Sequence, residues 1–188
     1  MLYDRRRYLT DFDSRRAGNI LTDVLVIGGG IAGTRAAIEA AGHVGDVLLL
    51  CKESFEESAT RYAQGGVASV LDPQDSAERH VEDTIRVGAG LGRREVVELV
   101  VGEGPRRIEE LMGWGTRFDR HEGRIALGRE GGHSAARVLH HGGDATGLEL
   151  SRSLNAKVRS CGNVRVFENC FVMDLLTDET GCVGAVTY

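Results

Sequence analysis

Between Asp23 and Leu50 the chain sets unbroken apolar runs around a glycine cluster and an alanine-rich stretch: V-L-V-I, G-G-G, I-A-G-T-R-A-A-I-E-A-A, then V-L-L-L. Short apolar runs without polar interruption predict strands, and the alanine-rich stretch between them predicts a helix. The elements expected are a strand over Val24–Ile27, a helix over Ile31–Ala41 ended by Gly42, and a strand over Val47–Leu50. Together they form a βαβ unit, so the fold class is α/β.

The same reading continues downstream. Asp75-Ser76-Ala77-Glu78 predicts a capped helix running to Val87, with Val81 and Ile85 on one apolar stripe and Gly88-Ala89-Gly90 stopping it. Arg93 to Val101 continues helically. Pro105 predicts the first residue of a separate short helix reaching Met112, because proline lacks the N–H that a helix interior uses but a first turn does not. Gly113 and Gly115 flank Trp114 in an expected turn. Val138-Leu139 reads as a strand, Leu148 to Val158 as a helix and Val164 to Glu168 as a strand. Val172 to Thr177 pairs with Gly184 to Thr187 across Asp178-Glu179-Thr180-Gly181 as an added β-hairpin.

Composition narrows the partners. With 188 residues, 41% hydrophobic and 27% charged, the chain has ordinary globular content and can bury one core. A net charge of −5, with no one-sign run longer than Arg5-Arg6-Arg7, argues against a nucleic-acid surface or a membrane-binding face and leaves a small molecule as the expected partner. No window approaches the roughly eighteen apolar residues of a spanning helix. Residues 1–19 mix arginines with Asp4, Asp11 and Asp13 and lack the apolar centre of a signal peptide, so they are expected to form an arm ahead of a domain over 20–188. The strand-like run reaching Tyr188 predicts a domain that is incomplete, as in a truncation. Cys51, Cys161, Cys170 and Cys182 form no C-x-x-C and read as small buried hydrophobes of a reducing cytoplasm, with no metal role.

The 26 glycines are about twice the usual ~7% share, while only two prolines are present, and the glycines come in pairs and triplets. That arrangement suits backbone brought close to a ligand. Gly28-Gly29-Gly30-Ile31-Ala32-Gly33 is a G-x-G-x-x-G directly after a strand and at the start of a helix, so backbone N–H groups and the helix dipole can meet a pyrophosphate. The acidic residue that would bind a ribose hydroxyl of NAD about twenty positions on is replaced by Cys51-Lys52, with Glu53 as a fallback.

Three further segments carry a resemblance. S-A-T-R-Y-A-Q-G-G, formed by Ser58, Ala59, Thr60, Arg61, Tyr62, Ala63, Gln64, Gly65 and Gly66, precedes R-E-G-G-H-S at 129–134 and D-A-T-G at 144–147. With H-V-E-D-T at 80–84, this constellation resembles the L-aspartate oxidases, within the flavoprotein family shared with fumarate reductase and the succinate dehydrogenase flavoprotein. The resemblance spans roughly 20–188 and implies a Rossmann-like FAD-binding domain. It implies FAD contacts from Gly28 to Gly33, from Lys52, from Ser58 to Gly66 and from the Val172 backbone. Where respiratory relatives carry the histidine that bonds covalently to FAD, this chain has Ala59, so noncovalent FAD is implied.

Glu130 stands where the dehydrogenase relatives usually have glutamine. A carboxylate in a water-poor site suits the ammonium of an amino diacid, whereas succinate would leave it unpaired. Without the resemblance, Glu130 reads as a loop residue paired with Arg129 or Arg137. His133, His140 and His141 read as packing or surface residues without a matched carboxylate, and Asp144 and Thr146 as groups fixing a loop and helix start.

The resemblance implies oxidation of L-aspartate to iminoaspartate, with oxygen or fumarate as acceptor, on the route to quinolinate and NAD, and functional coupling to quinolinate synthase. It also implies that a capping domain, with its catalytic arginine and histidines, lies outside these residues and that the chain by itself is weak or inactive. The alternatives left open are a soluble fumarate reductase-like flavoprotein and a noncatalytic nucleotide-binding module.

Overall fold

The computed structural model describes Asp13 and residues 18–188. The expected arm therefore lies outside the described residues apart from Asp13, Gly18 and Asn19. In chain order the elements are β1 (Val24–Ile27), α1 (Ile31–Ala41), β2 (Val47–Leu50), β3 (Val67–Ala68), α2 (Ala77–Gly88), α3 (Arg94–Gly113), β4 (Arg120–His121), β5 (Arg124–Ile125), β6 (Leu127–Gly128), β7 (Val138–Leu139), α4 (Thr146–Ser160), β8 (Val164–Phe167), β9 (Val172–Asp178) and β10 (Gly181–Thr187). They divide into two compact units, one holding the described residues up to Ser58 together with Leu154–Tyr188, the other Ala59–Ser153.

In the first unit a parallel sheet runs in the order β1-β2-β8, with Val24 beside Val47 and Val47 beside Val164. β2 is central and all four of its residues are buried, which is why V-L-L-L carries no polar alternation. Ala37 of α1, Val47, Leu49, Cys51, Phe55 and Val158 close the core over it. Alanine at 37 lets the helix backbone approach the sheet. β9 and β10 form the expected antiparallel hairpin, with Asp178 opposite Gly181.

In the second unit β6 and β3 flank β7, both antiparallel to it. Its core gathers Ile108, Phe118, Leu139 and Leu150. The short strands β3 to β6, of two residues each, escape the sequence reading because two residues show no alternation and none of these pairs sets two large apolar residues together as Val138-Leu139 does.

Two expectations are corrected here. The separate helices about Pro105 are one, α3, with Pro105 inside it. Proline removes one backbone hydrogen bond there, but Val101 and Ile108, seven positions apart and thus on one face, are both buried, and continuous burial outweighs the missing bond. The cysteines are not uniformly buried: Cys51 is, Cys161 and Cys170 are half-buried and Cys182 is exposed, because it lies on the two-stranded hairpin rather than under a core.

Candidate flavin site

The glycine turn lies at the carboxyl end of β1, where Gly28 N–H donates to the Leu50 carbonyl at 2.8 Å and extends the β1–β2 ladder into the turn. Gly28 has φ +105°, a conformation that L side chains rarely adopt, and a side chain there would meet open space. Gly29 faces the Cys51 sulfur, 2.8 Å from where a Cβ would stand, and a Cβ at Gly33 would overlap the Gly28 carbonyl oxygen. The three glycines thus serve three different ends: turn geometry, strand packing and helix approach. α1 begins after Gly30 with no side-chain cap and no acidic residue in its first turn. Its positive end is therefore not neutralised locally, unlike α2, which starts with a Ser76 cap and Glu78. Ile31 and Ala32 form that first turn, so an anion seated on the glycine turn meets backbone N–H groups and the helix dipole together.

Lys52 follows β2. Cys170 N–H donates to the Cys51 carbonyl at 2.8 Å, and the Lys52 ammonium lies 5.8 Å from the Phe171 ring centroid. The first unit thereby brings Lys52 beside the entry to β9, whose first residue is Val172. Ser58 closes this part of the chain. Burial pushes the Cys51 thiol up to about 11, aided by the charge of Glu168, so it stays a neutral packing group at physiological pH.

The second unit holds Ala59 to Gly66 and Glu130. Residues 60–66 form a turn-rich loop exposed from Tyr62 to Gly66, Tyr62 being 67% exposed. Gly147 N–H donates to the Ala63 carbonyl at 3.0 Å, and a Cβ at Gly147 would overlap the Thr60 carbonyl oxygen. His141 N–H donates to Thr146 Oγ1 at 3.1 Å, which fixes the start of α4. D-A-T-G is thus the seat of the 60–63 segment. Gln64 and Gly65 complete the turn, and a Cβ at Gly65 would meet nothing.

Glu130 pairs neither with Arg129 nor with Arg137. Its Oε1 lies 2.9 Å from His140 Nε2, with the carboxylate 54% exposed. This corrects the reading of the histidines as lacking a matched carboxylate. Arg129 is used elsewhere, donating through Nε to the His133 carbonyl at 3.0 Å.

Arg137 is fully buried. It donates to both oxygens of Asp75 at 2.7 and 2.8 Å and to Asp83 Oδ2 at 2.7 Å. The same Asp83 oxygen accepts Ser134 N–H at 2.6 Å, and Arg86, paired with Asp83, donates to the Gly132 carbonyl at 3.0 Å. One face of α2 therefore clamps the 129–134 loop from below. Sequence reasoning noted H-V-E-D-T only as part of a resemblance. The signal available was Asp83 three residues ahead of Arg86 on a capped helix, but nothing in one dimension tied it to Arg137.

These contacts set protonation. The Arg137 guanidinium holds the Asp75 carboxyl below the usual carboxylate range. Burial alone would raise Asp83, but the Ser134 N–H and Arg137 overcome it and hold Asp83 well below that range. Burial and the Arg137 charge lower His80, whose Nδ1 has no partner. All three shifts make the unfolded chain bind protons more readily than the folded one, so stability falls with acidification. The His80 part is expected to be lost as pH falls below about 6.5, and the Asp75 and Asp83 parts as it falls below about 4. Melting temperatures measured between pH 7 and pH 5 should decline, and decline less in His80→Leu. An unchanged slope in that variant would remove the assignment.

A parallel βαβ sheet carrying a glycine turn at a strand's carboxyl end, with an uncapped helix start facing it, defines a dinucleotide-binding α/β protein. The residues fit FAD: the turn has the backbone approach a diphosphate needs, and Gly65 is open. The chain belongs to the FAD binding domain family, whose pattern matches residues 23–188. It is 44% identical over 169 residues to L-aspartate oxidase of Streptomyces coelicolor, a match covering 89% of this chain and 29% of that protein. It is 49% identical over 160 residues to the chloroplastic L-aspartate oxidase 2-b of Nicotiana tabacum, covering 85% and 24%. Among solved structures, E. coli quinol fumarate reductase matches with a TM-score of 0.83 and 30% identity over 88% of this chain and 29% of that one. The chain thus spans less than a third of the length of these relatives.

Proposed function

We propose that this chain is the flavin-binding part of an enzyme that oxidises L-aspartate to iminoaspartate, with oxygen or fumarate taking up the electrons, on a route to quinolinate and NAD. The observation that carries the reading is Glu130, a carboxylate held by His140 in the unit that also holds the A-Q-G-G turn. FAD, when bound, accepts a hydride from the α-carbon of the amino acid. The chain's own residues do the rest.

Gly28, Gly29, Gly30, Ile31, Ala32 and Gly33 receive the diphosphate, and Lys52, Ser58 to Gly66 and the Val172 backbone hold the remainder of FAD. Ala59 offers no imidazole, so the cofactor is held noncovalently and leaves on acid precipitation. Glu130 pairs with the α-ammonium and orients the α-carbon. Succinate, with a methylene at that position, offers no donor to the Glu130 oxygen that His140 does not hold, which is how Glu130 rejects it. Residues 20–188 are the leading portion of the FAD domain. The protein works in the cytoplasm and hands its product to quinolinate synthase. Further substrate-clamping groups come from a capping domain outside these residues, so the 188-residue chain alone turns over weakly.

Removing a hydrogen-bonded charge partner costs about 1.5–3 kcal/mol. Glu130→Gln is accordingly expected to slow anaerobic reduction of bound flavin by L-aspartate roughly 10- to 100-fold and to affect fumarate reduction far less. Equal losses would favour the second reading, a soluble fumarate reductase-like flavoprotein, which the likeness to the quinol fumarate reductase supports. A colourless purified protein that takes up no flavin would favour a noncatalytic nucleotide-binding module instead.

A further inference from the structure

The antiparallel register of the second unit pairs Val67 with Leu139, so one residue further along Gly66 faces His140. The same strand pairs Val138 with Gly128 on its other side. Side chains alternate along a strand, so those at 138 and 140 share a face, on which Gly66 stands opposite His140 while Ala68 and Gly128 stand opposite Val138. The two glycines carry no side chain. A Cβ at Gly66 would lie 2.7 Å from His140 Nε2, and one at Gly128 would lie 2.9 Å from His140 Cε1 and 3.3 Å from Nδ1. The imidazole therefore occupies a slot formed by two glycines, one of them the last residue of A-Q-G-G. It reaches Glu130 Oε1 at 2.9 Å, and the His140 backbone is fixed by Asp119 N–H donating to its carbonyl at 2.8 Å.

We propose that His140 is the positioning residue of this site: a single imidazole that spaces the Glu130 carboxylate from the A-Q-G-G turn and presents it ionised. A carboxylate oxygen accepts, so Nε2 is the donor in this pair and Nδ1 lies on the Gly128 side. With Nε2–H engaged, one carboxylate oxygen is held and the other remains for an incoming donor. Because the imidazole touches the last glycine of the flavin turn and the carboxylate at once, ordering either end orders the other. Flavin and amine binding are then reciprocally coupled through it. The amine part of this inference rests on the proposed role of Glu130; the positioning part does not.

The test is long-range proton–nitrogen correlation on the nitrogen-15-labelled 188-residue chain, with the His140 signals identified by their loss in His140→Gln. The expected result is a ring protonated at Nε2 whose nitrogen shifts move in Glu130→Gln and move again when FAD is added. Protonation at Nδ1, or signals indifferent to Glu130→Gln, would overturn the inference. Because Glu130 is largely exposed, that variant keeps the fold and the comparison stands even if His140 variants do not fold. In a second arm, titration of the FAD-loaded protein with L-aspartate and with succinate, read by the flavin spectrum, is expected to show a preference for aspartate. That preference should fall at least tenfold in His140→Leu and largely return in His140→Gln, which keeps an N–H donor; an undiminished preference in His140→Leu would count against the coupling. A wild-type protein with no preference, but with His140 signals that respond to Glu130→Gln, would refute the amine role of Glu130 and support the positioning role of His140.

Discussion

Alanine at position 33 is expected to weaken FAD binding by roughly one to two orders of magnitude while leaving the helical content near that of the parent protein. The added methyl would overlap the Gly28 carbonyl oxygen, and it would also stand 3.5 Å from Val26 Cγ1. The oxygen is backbone, and the Gly28 N–H of the same residue is held by Leu50 at 2.8 Å, so the turn cannot swing away without breaking the β1–β2 ladder. What yields instead is the start of α1, which must lift from β1. Overpacking of this kind costs about 1–3 kcal/mol, and each 1.4 kcal/mol is a factor of ten in affinity. The strain falls on the turn proposed to receive the diphosphate, so affinity suffers before the sheet does. Equilibrium titration with FAD decides it: an affinity equal to that of the parent protein would mean the glycine turn does not hold the cofactor.

Arg137→Met is expected to be the most damaging substitution for stability in the second unit. It keeps an unbranched apolar stem but removes the guanidinium, leaving Asp75 without that partner and Asp83 with Arg86 alone, their side chains only 2% and 5% exposed. Breaking a buried ion pair from one side costs about 3–5 kcal/mol. At ~2–4 °C per kcal/mol for a chain of this size, the melting temperature should fall by roughly 6–20 °C. The damage is an uncompensated charge rather than a lost volume, so Arg137→Met combined with Asp75→Asn and Asp83→Asn should recover part of the loss. If the triple variant melts no higher than the single one, the cluster stabilises by packing and not by charge.

The first unit was largely legible in the sequence. Four-residue apolar runs, a G-x-G-x-x-G between them and a Gly42 stop are local signals, and β1, α1 and β2 follow from them with their boundaries. The β9–β10 hairpin and the Ser76 cap of α2 are equally local. Pro105 shows the limit of such signals: its local rule calls for a helix start, and only burial of Val101 and Ile108 on one face keeps α3 continuous.

The candidate site divides along the same line. Its proposed members come from the resemblance carried by S-A-T-R-Y-A-Q-G-G, R-E-G-G-H-S and D-A-T-G. Which residues touch could not be read from it. Glu130 and His140 are ten positions apart, Gly66 and His140 seventy-four, and Arg137 stands sixty-two positions from Asp75 and fifty-four from Asp83. Sequence sets chemistry at a position through local sterics and charge, and here it determined a glycine turn after a strand, a second glycine-bearing loop and an acidic loop. Tertiary structure alone decided that an imidazole joins the last two and that a buried arginine pins the acidic loop to α2, since partners so far apart are chosen by strand register and burial.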